Sequence, residues 1–276
     1  MNMKRTVLCA AALFAAFAFQ TRELSGEENP QKMSLKQLKK TASAGVASSQ
    51  YELGLRYYTG KGVKKDFTQA INWFRKSAEQ DNDAAAYNLG IMYLKGEGIP
   101  QNGERAVQWF RKSADRGNIQ AMFNLGLLYS SPKSNMKDDA MAAEWYRSAA
   151  ENGHVQAMFN LGILCELGRG TDQNFEEAAK WYEKAAGKGH DKAMFNLGIL
   201  HVSGKLGENG SMEKAVGLFE KAAEKGNAGA LYSLGRMYVA GQGVKQDREK
   251  GVKYLKAAAE KGFAKAEAEL KKLEQQ

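Results

Sequence analysis

Four glycine-bracketed segments, Gly60-Lys61-Gly62-Val63, Gly96–Ile99, Gly168–Thr171 and Gly241–Val244, are the places where this sequence could cradle a phosphate. Such loops bind phosphate when they follow a strand and run through Gly-Lys-Ser/Thr into a helix, so that backbone N–H groups converge on the anion. None of the four continues that way and none follows a strand-like run, so they read as turns between helices. The histidines are His154, His190 and His201. His154 and His190 stand 36 residues apart in equivalent positions. Stacked helices lie about 8–10 Å apart, too far for two imidazoles to share a metal readily at bonds of about 2 Å. His201 and Cys165 each replace a tyrosine of a recurring column, which predicts a core role for both and a small buried apolar thiol at Cys165. No Ser-His-Asp order, paired-acid column or Cys/His cluster is present. The expectation is no catalytic residue, no metal and no cofactor.

Amides form the more regular pattern. Asparagine recurs at Asn88, Asn124, Asn160 and Asn196, with Glu52 and Ser233 at the same position on either side. One helical turn earlier stand Gln120, Gln156 and Lys192. An amide both donates and accepts, so a row of them could satisfy the backbone of an extended peptide, or could bond to its own neighbours inside a packed array. Both readings stand at this point.

The elements that would position these residues repeat. Leu-Gly occurs at Leu53-Gly54, Leu89-Gly90, Leu125-Gly126, Leu161-Gly162, Leu197-Gly198 and Leu234-Gly235, with successive spacings of 36, 36, 36, 36 and 37 residues. A fixed period of this size marks a stack of helical units. Ala157–Leu164 and Ala193–Leu200 are identical in sequence. Each unit predicts two helices. The first, such as Ile119 to about Tyr129, is apolar almost all round, as expected of a helix packed on more than one side. The glycine of Leu-Gly costs roughly 1 kcal/mol of helix propensity, which close helix–helix approach would explain. The second helix starts after a good N-cap, Asp66, Asn102, Asp138, Asn174, Ser211 or Asp247. It carries aromatic pairs such as Trp73-Phe74 and Trp181-Tyr182, and ends at Gly117, Gly153, Gly189, Gly226 or Gly262, where a left-handed residue is wanted. Met33–Gly45 fits a lone second helix capped by Ser34, and Phe263–Gln276 fits a lone first helix. Units are expected at about 46–81, 82–117, 118–153, 154–189, 190–226 and 227–262, with a cap at 263–276, all within a domain at 33–276.

The pattern A-x-x-x-L-G-x-x-Y-x-x-G-x-G, then K-A-x-x-W-x-x-K-A-A-x-x-G, resembles the Sel1-like repeat. The second unit carries it most closely, through Ala85, Leu89-Gly90, Tyr93, Gly96-Glu97-Gly98, Ala106, Trp109, Ala114 and Gly117. The array also looks like tetratricopeptide repeats, but the 36-residue period and the Gly-x-Gly turn favour Sel1. The resemblance implies an all-α, right-handed α-solenoid of about six 36-residue helix-pair repeats with N- and C-terminal capping helices. It further implies that the first helices line a concave groove, where Asn88, Gln120, Asn124, Gln156, Asn160, Lys192 and Asn196 would meet a protein or peptide. Two departures stand out. The third unit has Ser130–Met136 in place of the Gly-x-Gly turn, and the fifth gains one residue within Gly204–Gly210. A branch of the family carries paired cysteines in each repeat; this chain lacks them, so the activities of that branch do not carry over.

At the start, Met1–Arg5 is basic, Thr6–Phe19 is apolar and Ala16-Phe17-Ala18 offers small residues for cleavage, so residues 1–18 read as an export signal and 19–32 as a linker. Fourteen residues fall short of the ~20 needed to span a bilayer. The expectation is a secreted or periplasmic monomer, without stable membrane insertion and without staples, since Cys165 would be the lone cysteine left. The formal charge of +9 falls to +7 without Lys4 and Arg5. A basic strip on the second helices, Arg75, Arg111 and Arg147 with Lys76, Lys112 and Lys184, raises nucleic-acid binding as an alternative. Glu183 and Glu220 interrupt the strip, export would remove most access to nucleic acid, and a solvated face is the reading adopted. A hydrolase acting on envelope polymers is the other alternative, and the missing acid/base constellation argues against it.

Overall fold

The computed structural model describes residues 29–132 and 134–275, and every statement below concerns these. The proposed export signal and most of the proposed linker lie outside them. A single-turn 3-10 helix at Pro30–Lys32 leads into fourteen α-helices, and no strand occurs among the described residues. They are α1 (Leu35–Ser43), α2 (Ala47–Thr59), α3 (Phe67–Glu79), α4 (Asp83–Lys95), α5 (Gly103–Ala114), α6 (Ile119–Ser130) and α7 (Asp139–Glu151). The second half holds α8 (Val155–Leu167), α9 (Phe175–Gly187), α10 (Asp191–Val202), α11 (Met212–Glu224), α12 (Ala228–Ala240), α13 (Arg248–Glu260) and α14 (Ala264–Glu274). Each helix packs on its sequence neighbours, so six pairs from α2–α3 to α12–α13 stack between α1 and α14.

The second helices start as the sequence expects. Side-chain oxygens of Asp66, Asn102, Asp138, Asn174, Ser211 and Asp247 each accept a backbone N–H of the first turn. Ser34 and Gln37 form a reciprocal capping box on α1. The left-handed glycines predicted at the helix ends are there, with φ from +77° at Gly262 to +91° at Gly153. In the first repeat that place is taken by Asp81, the one non-glycine with positive φ among the described residues, at +65°. A Cβ in this region costs roughly 1 kcal/mol. Asp81→Gly is therefore expected to raise stability by about 1 kcal/mol in a chemical-denaturation midpoint. The half-exposed Asp81–Arg116 ion pair it removes is worth a fraction of that.

The core is one aromatic or leucine side chain per repeat set against the glycine of its Leu-Gly pair. Phe74, Phe110, Tyr146, Tyr182, Phe219 and Leu255 project from the second helices and are almost fully buried. A Cβ added at Gly54, Gly90, Gly126, Gly162, Gly198 or Gly235 would lie 2.5–2.7 Å from that partner. The close approach inferred from propensity is thus between each first helix and the ring, or in the sixth repeat the Leu255 side chain, beneath it. Cys165 is fully buried, as expected, and burial pushes its thiol pKa up.

The departures have local compensations. In the second, fourth and sixth repeats the second glycine of the turn, Gly98, Gly170 or Gly243, lies against Phe67, Asp139 or Met212, the first residue of the preceding repeat's second helix. The third repeat puts Met136 there instead, and the residue opposite is Gly103, whose added Cβ would meet the Met136 methyl at 3.0 Å. In the fifth repeat Leu206 is buried and Lys205 lies over the Phe175 ring. Residues 29–32, read from sequence as the end of an open linker, are folded onto the array. Arg56 Nη2 donates to the carbonyls of Met33 (3.0 Å) and Gln31 (3.4 Å), while its Nε donates to Glu52 Oε1 (3.1 Å). A charged side chain buried in the first repeat needs these acceptors.

Candidate functional site: the ridge of the first helices

On each first helix, residues five and one before the column leucine, and two and six after it, fall on a single face by the 3.6-residue period. On α6 and its C-cap these are Gln120, Asn124, Leu127 and Ser131; on α8, Gln156, Asn160, Ile163 and Leu167; on α10 and its C-cap, Lys192, Asn196, Ile199 and Ser203. The outermost positions are open: Gln120, Gln156 and Lys192 are exposed, Leu127 is 39% exposed and Leu167 is 55% exposed. The asparagines sit deeper. Asn124, Asn160 and Asn196 are half-buried, and Asn88 is 5% exposed.

The amides are engaged with neighbours to different degrees. Asn124 Nδ2 donates to the Tyr87 hydroxyl of the preceding repeat (3.2 Å), and Asn196 Nδ2 to the Tyr182 hydroxyl (3.3 Å). Tyr182 in turn donates to Glu166 Oε2 (2.8 Å). Burial pushes the phenols of Tyr87, Tyr146 and Tyr182 up in pKa, so they remain protonated partners. Asn160 Oδ1 accepts from Gln156 Nε2 (2.9 Å), and Gln156 Oε1 lies 3.2 Å from His190 Nε2. Asn88 is buried and its side chain interacts with Tyr51, the first-repeat counterpart of Tyr87. The seven residues singled out in the sequence therefore share one face across four repeats. The oxygens of Asn124 and Asn196, both amide groups of Gln120 and the Lys192 ammonium have no partner among the described residues.

The histidines have a role the sequence reading missed. His154 and His190 are N-caps of α8 and α10, each accepting through Nδ1 from the N–H three residues on, at 3.1 Å. Their rings stack on Phe123 and Phe159, with centroids 4.1 and 4.6 Å apart. Asn82, Asn118 and Asn227 cap the corresponding helices of other repeats. Asn118 and Asn227 also donate to Asp83 and Asp191 of the previous repeat (2.8 and 3.1 Å). The signal was a column of Asn, Asn, His, His and Asn directly before the first helix, a known N-cap preference for asparagine that histidine's Nδ1 can imitate. His201 is half-buried, with Nδ1 unpartnered among the described residues.

Among the described residues, no cluster of three His, Cys, Asp or Glu side chains could hold a metal ion, and no helix is long and apolar enough to cross a membrane. The acidic groups on or beside the ridge are taken: Glu52 pairs with Arg56 at 3.1 Å and Glu166 with Lys205 at 3.3 Å. Lys192 and Arg236 have no ion pair among the described residues.

Fold and ridge together define an all-α helical-repeat protein whose distinctive surface is an open, mixed amide and aliphatic face. The chain belongs to the Sel1 repeat family: the family's repeat matches at residues 47–82, 83–118, 119–154, 155–190, 191–227 and 228–263. Proteins of this family are generally scaffolds for protein–protein interaction and are typically non-enzymatic. The chain is similar to c5321, a protective antigen of uropathogenic Escherichia coli with this fold, at 32% identity and a TM-score of 0.80 over 84% of this chain and 50% of that one. It is similar to a Sel1 repeat protein of Oxalobacter formigenes at 29% identity and a TM-score of 0.60, over 84% of this chain and 97% of that one. It also shares 41% identity over 75 residues with the secretory immunoglobulin A-binding protein EsiB of Escherichia coli, 27% of this chain and 14% of EsiB. The chain thus spans half or less of the length of the two Escherichia coli relatives.

Proposed function

We propose that this chain is an exported interaction scaffold that holds a protein or peptide partner along the ridge of its first helices. The observation that carries the proposal is the coincidence of three properties on that ridge. Amide groups recur in each of the four middle repeats, aliphatic side chains are left exposed beside them, and the acidic groups are already paired internally. A stack of repeats presents such a surface continuously over many residues, which suits a partner bound in an extended form. Export to the periplasm or the exterior is supported by the basic and apolar run at residues 1–18. Binding of a protein by the EsiB relative agrees with a partner-binding role. The working state is a monomer, with the ridge free for a partner of different sequence.

The test is substitution of two ladder positions together. Asn124→Lys with Asn160→Lys places two like charges on neighbouring repeats at half-buried sites. Partner capture from secreted or periplasmic fractions is expected to fall at least tenfold, with the helical circular-dichroism spectrum unchanged. Capture at the wild-type level by a folded double variant would remove the ridge as the binding face.

A further inference from the structure

Asparagine followed by glycine is prone to lose its side-chain amide, because glycine has no side chain to shield the attacking main-chain nitrogen. That nitrogen gives up its proton and bonds to the asparagine Cγ, the Cγ–Nδ2 bond breaks, and ammonia leaves behind a five-membered imide. Water then opens the imide to aspartate, or to isoaspartate, in which the main chain runs through the side-chain carbon. The sequence holds three such pairs, Asn102-Gly103, Asn152-Gly153 and Asn209-Gly210. All three asparagines are exposed, so only their surroundings separate them. Ring closure needs Cγ to swing over the next nitrogen, and a bond that ties down the amide opposes it. Asn102 Oδ1 accepts the Arg105 N–H at 2.9 Å as the N-cap of α5, and ring closure there would withdraw the cap. Asn152 Nδ2 donates to the Ser148 carbonyl at 2.9 Å. Beside it Gly153 closes the end of α7 in the left-handed region, with its N–H on the Ala150 carbonyl (2.9 Å) and the His154 N–H on the Ala149 carbonyl (3.0 Å).

Asn209 is held differently. It ends a single 3-10 turn, Gly207–Asn209, in the longer connection of the fifth repeat, and its side-chain amide makes no hydrogen bond among the described residues. The Gly210 N–H is tied by one bond of 3.1 Å to the Gly207 carbonyl, and 3-10 bonds have poorer geometry than those of an α-helix. A Cβ at Gly204 or Gly207 would meet nothing within 4 Å, so both face open space. The connection is pinned between them, by the buried Leu206 and by Lys205 against Glu166 and the Phe175 ring. Exposed segments with few contacts open locally at little cost. The peptide unit that supplies the attacking nitrogen is also polarised, because the Asn209 carbonyl accepts a hydrogen bond from the His201 ring. That bond draws charge from the Gly210 nitrogen and eases loss of its proton.

We propose that Asn209 is a site of spontaneous deamidation in the folded protein, while Asn102 and Asn152 are protected by the helix ends they close. The product puts a new carboxylate, and in the isoaspartyl form an extra main-chain methylene, into the connection that leaves the ridge at Ser203 and enters α11 through the Ser211 cap. The experiment ages the full chain at mildly alkaline pH, digests it, and follows the three asparagine-bearing peptides by mass spectrometry, with chromatography separating aspartate from isoaspartate. In the folded chain, amide loss at Asn209 is expected to run at least about tenfold faster than at either other site, because it needs only one frayed turn. In denaturing urea the three sites should react at similar rates, since the surroundings that separate them are gone. Asn209→Gln, whose longer side chain would have to close a six-membered ring, should remove the acidic species that accumulates on isoelectric focusing and leave the helical circular-dichroism spectrum unchanged. Equal rates at the three sites in the folded chain, or faster loss at Asn102 or Asn152, would overturn the proposal. So would an Asn209 that stays intact in the folded chain while the denatured chain reacts, or an acidic species that persists in Asn209→Gln.

Discussion

Gly162→Ala is expected to destabilise the array by about 1 kcal/mol net, although alanine is the better helix former by roughly 1 kcal/mol. The new Cβ would sit 2.6 Å from the Tyr182 ring, well inside ordinary contact. Tyr182 is fully buried, and its hydroxyl is tied to Glu166 at 2.8 Å, so the ring cannot swing away. Overpacking of this kind typically costs about 1–3 kcal/mol, and the clash outweighs the gain in propensity. Gly217→Ala supplies the control. Gly217 lies inside α11, and a methyl group added there would meet nothing within 4 Å, so the same change should stabilise by about 1 kcal/mol. The two urea-denaturation midpoints should move in opposite directions. A Gly162→Ala midpoint at or above wild type would show that the Leu-Gly column does not serve close packing.

Acidification should loosen the middle of the stack through its histidine caps. His154 Nδ1 accepts the Ala157 N–H, a role open only to the neutral ring, and burial depresses its pKa from 6.5 to about 4. Because the folded state binds the proton less readily than the unfolded one, the stabilisation is complete above pH 6.5 and is lost as pH falls from 6.5 towards 4. The shift corresponds to at most about 3 kcal/mol. His190 shifts in the same direction, chiefly through burial, with Asp191 and Lys192 acting on it in opposite senses. His154→Asn with His190→Asn installs the cap found at Asn82, Asn118 and Asn227. That double variant should lose clearly less stability than wild type between about pH 7 and about pH 4.5 in thermal melts. Carboxylates titrate alike in both proteins, so the difference between the two profiles isolates the caps. Parallel profiles would refute the cap assignment.

Much of the fold was legible because a repeat shows each constraint several times. The Leu-Gly column, the N-caps Asp66 to Asp247 and the glycines at helix ends are local demands of helix geometry, and each recurs at fixed spacing. The sequence alone therefore determined an all-α stack of six helix pairs, the six capped starts and the burial of Cys165. Other features depend on atoms brought together across repeats. That the column glycine faces the ring of Tyr182 or Phe110, that Met136 is matched by Gly103, and that Arg56 holds the carbonyls of Gln31 and Met33 are facts of packing between segments distant in the chain. The asparagine column shows the boundary best. Its spacing placed Asn88, Asn124, Asn160 and Asn196 on one face, but periodicity fixes direction and not depth. Only the tertiary structure set Asn88 in the interior, gave Asn124 and Asn196 tyrosine partners, and left Leu127 and Leu167 open, because burial is decided by what the next repeat covers.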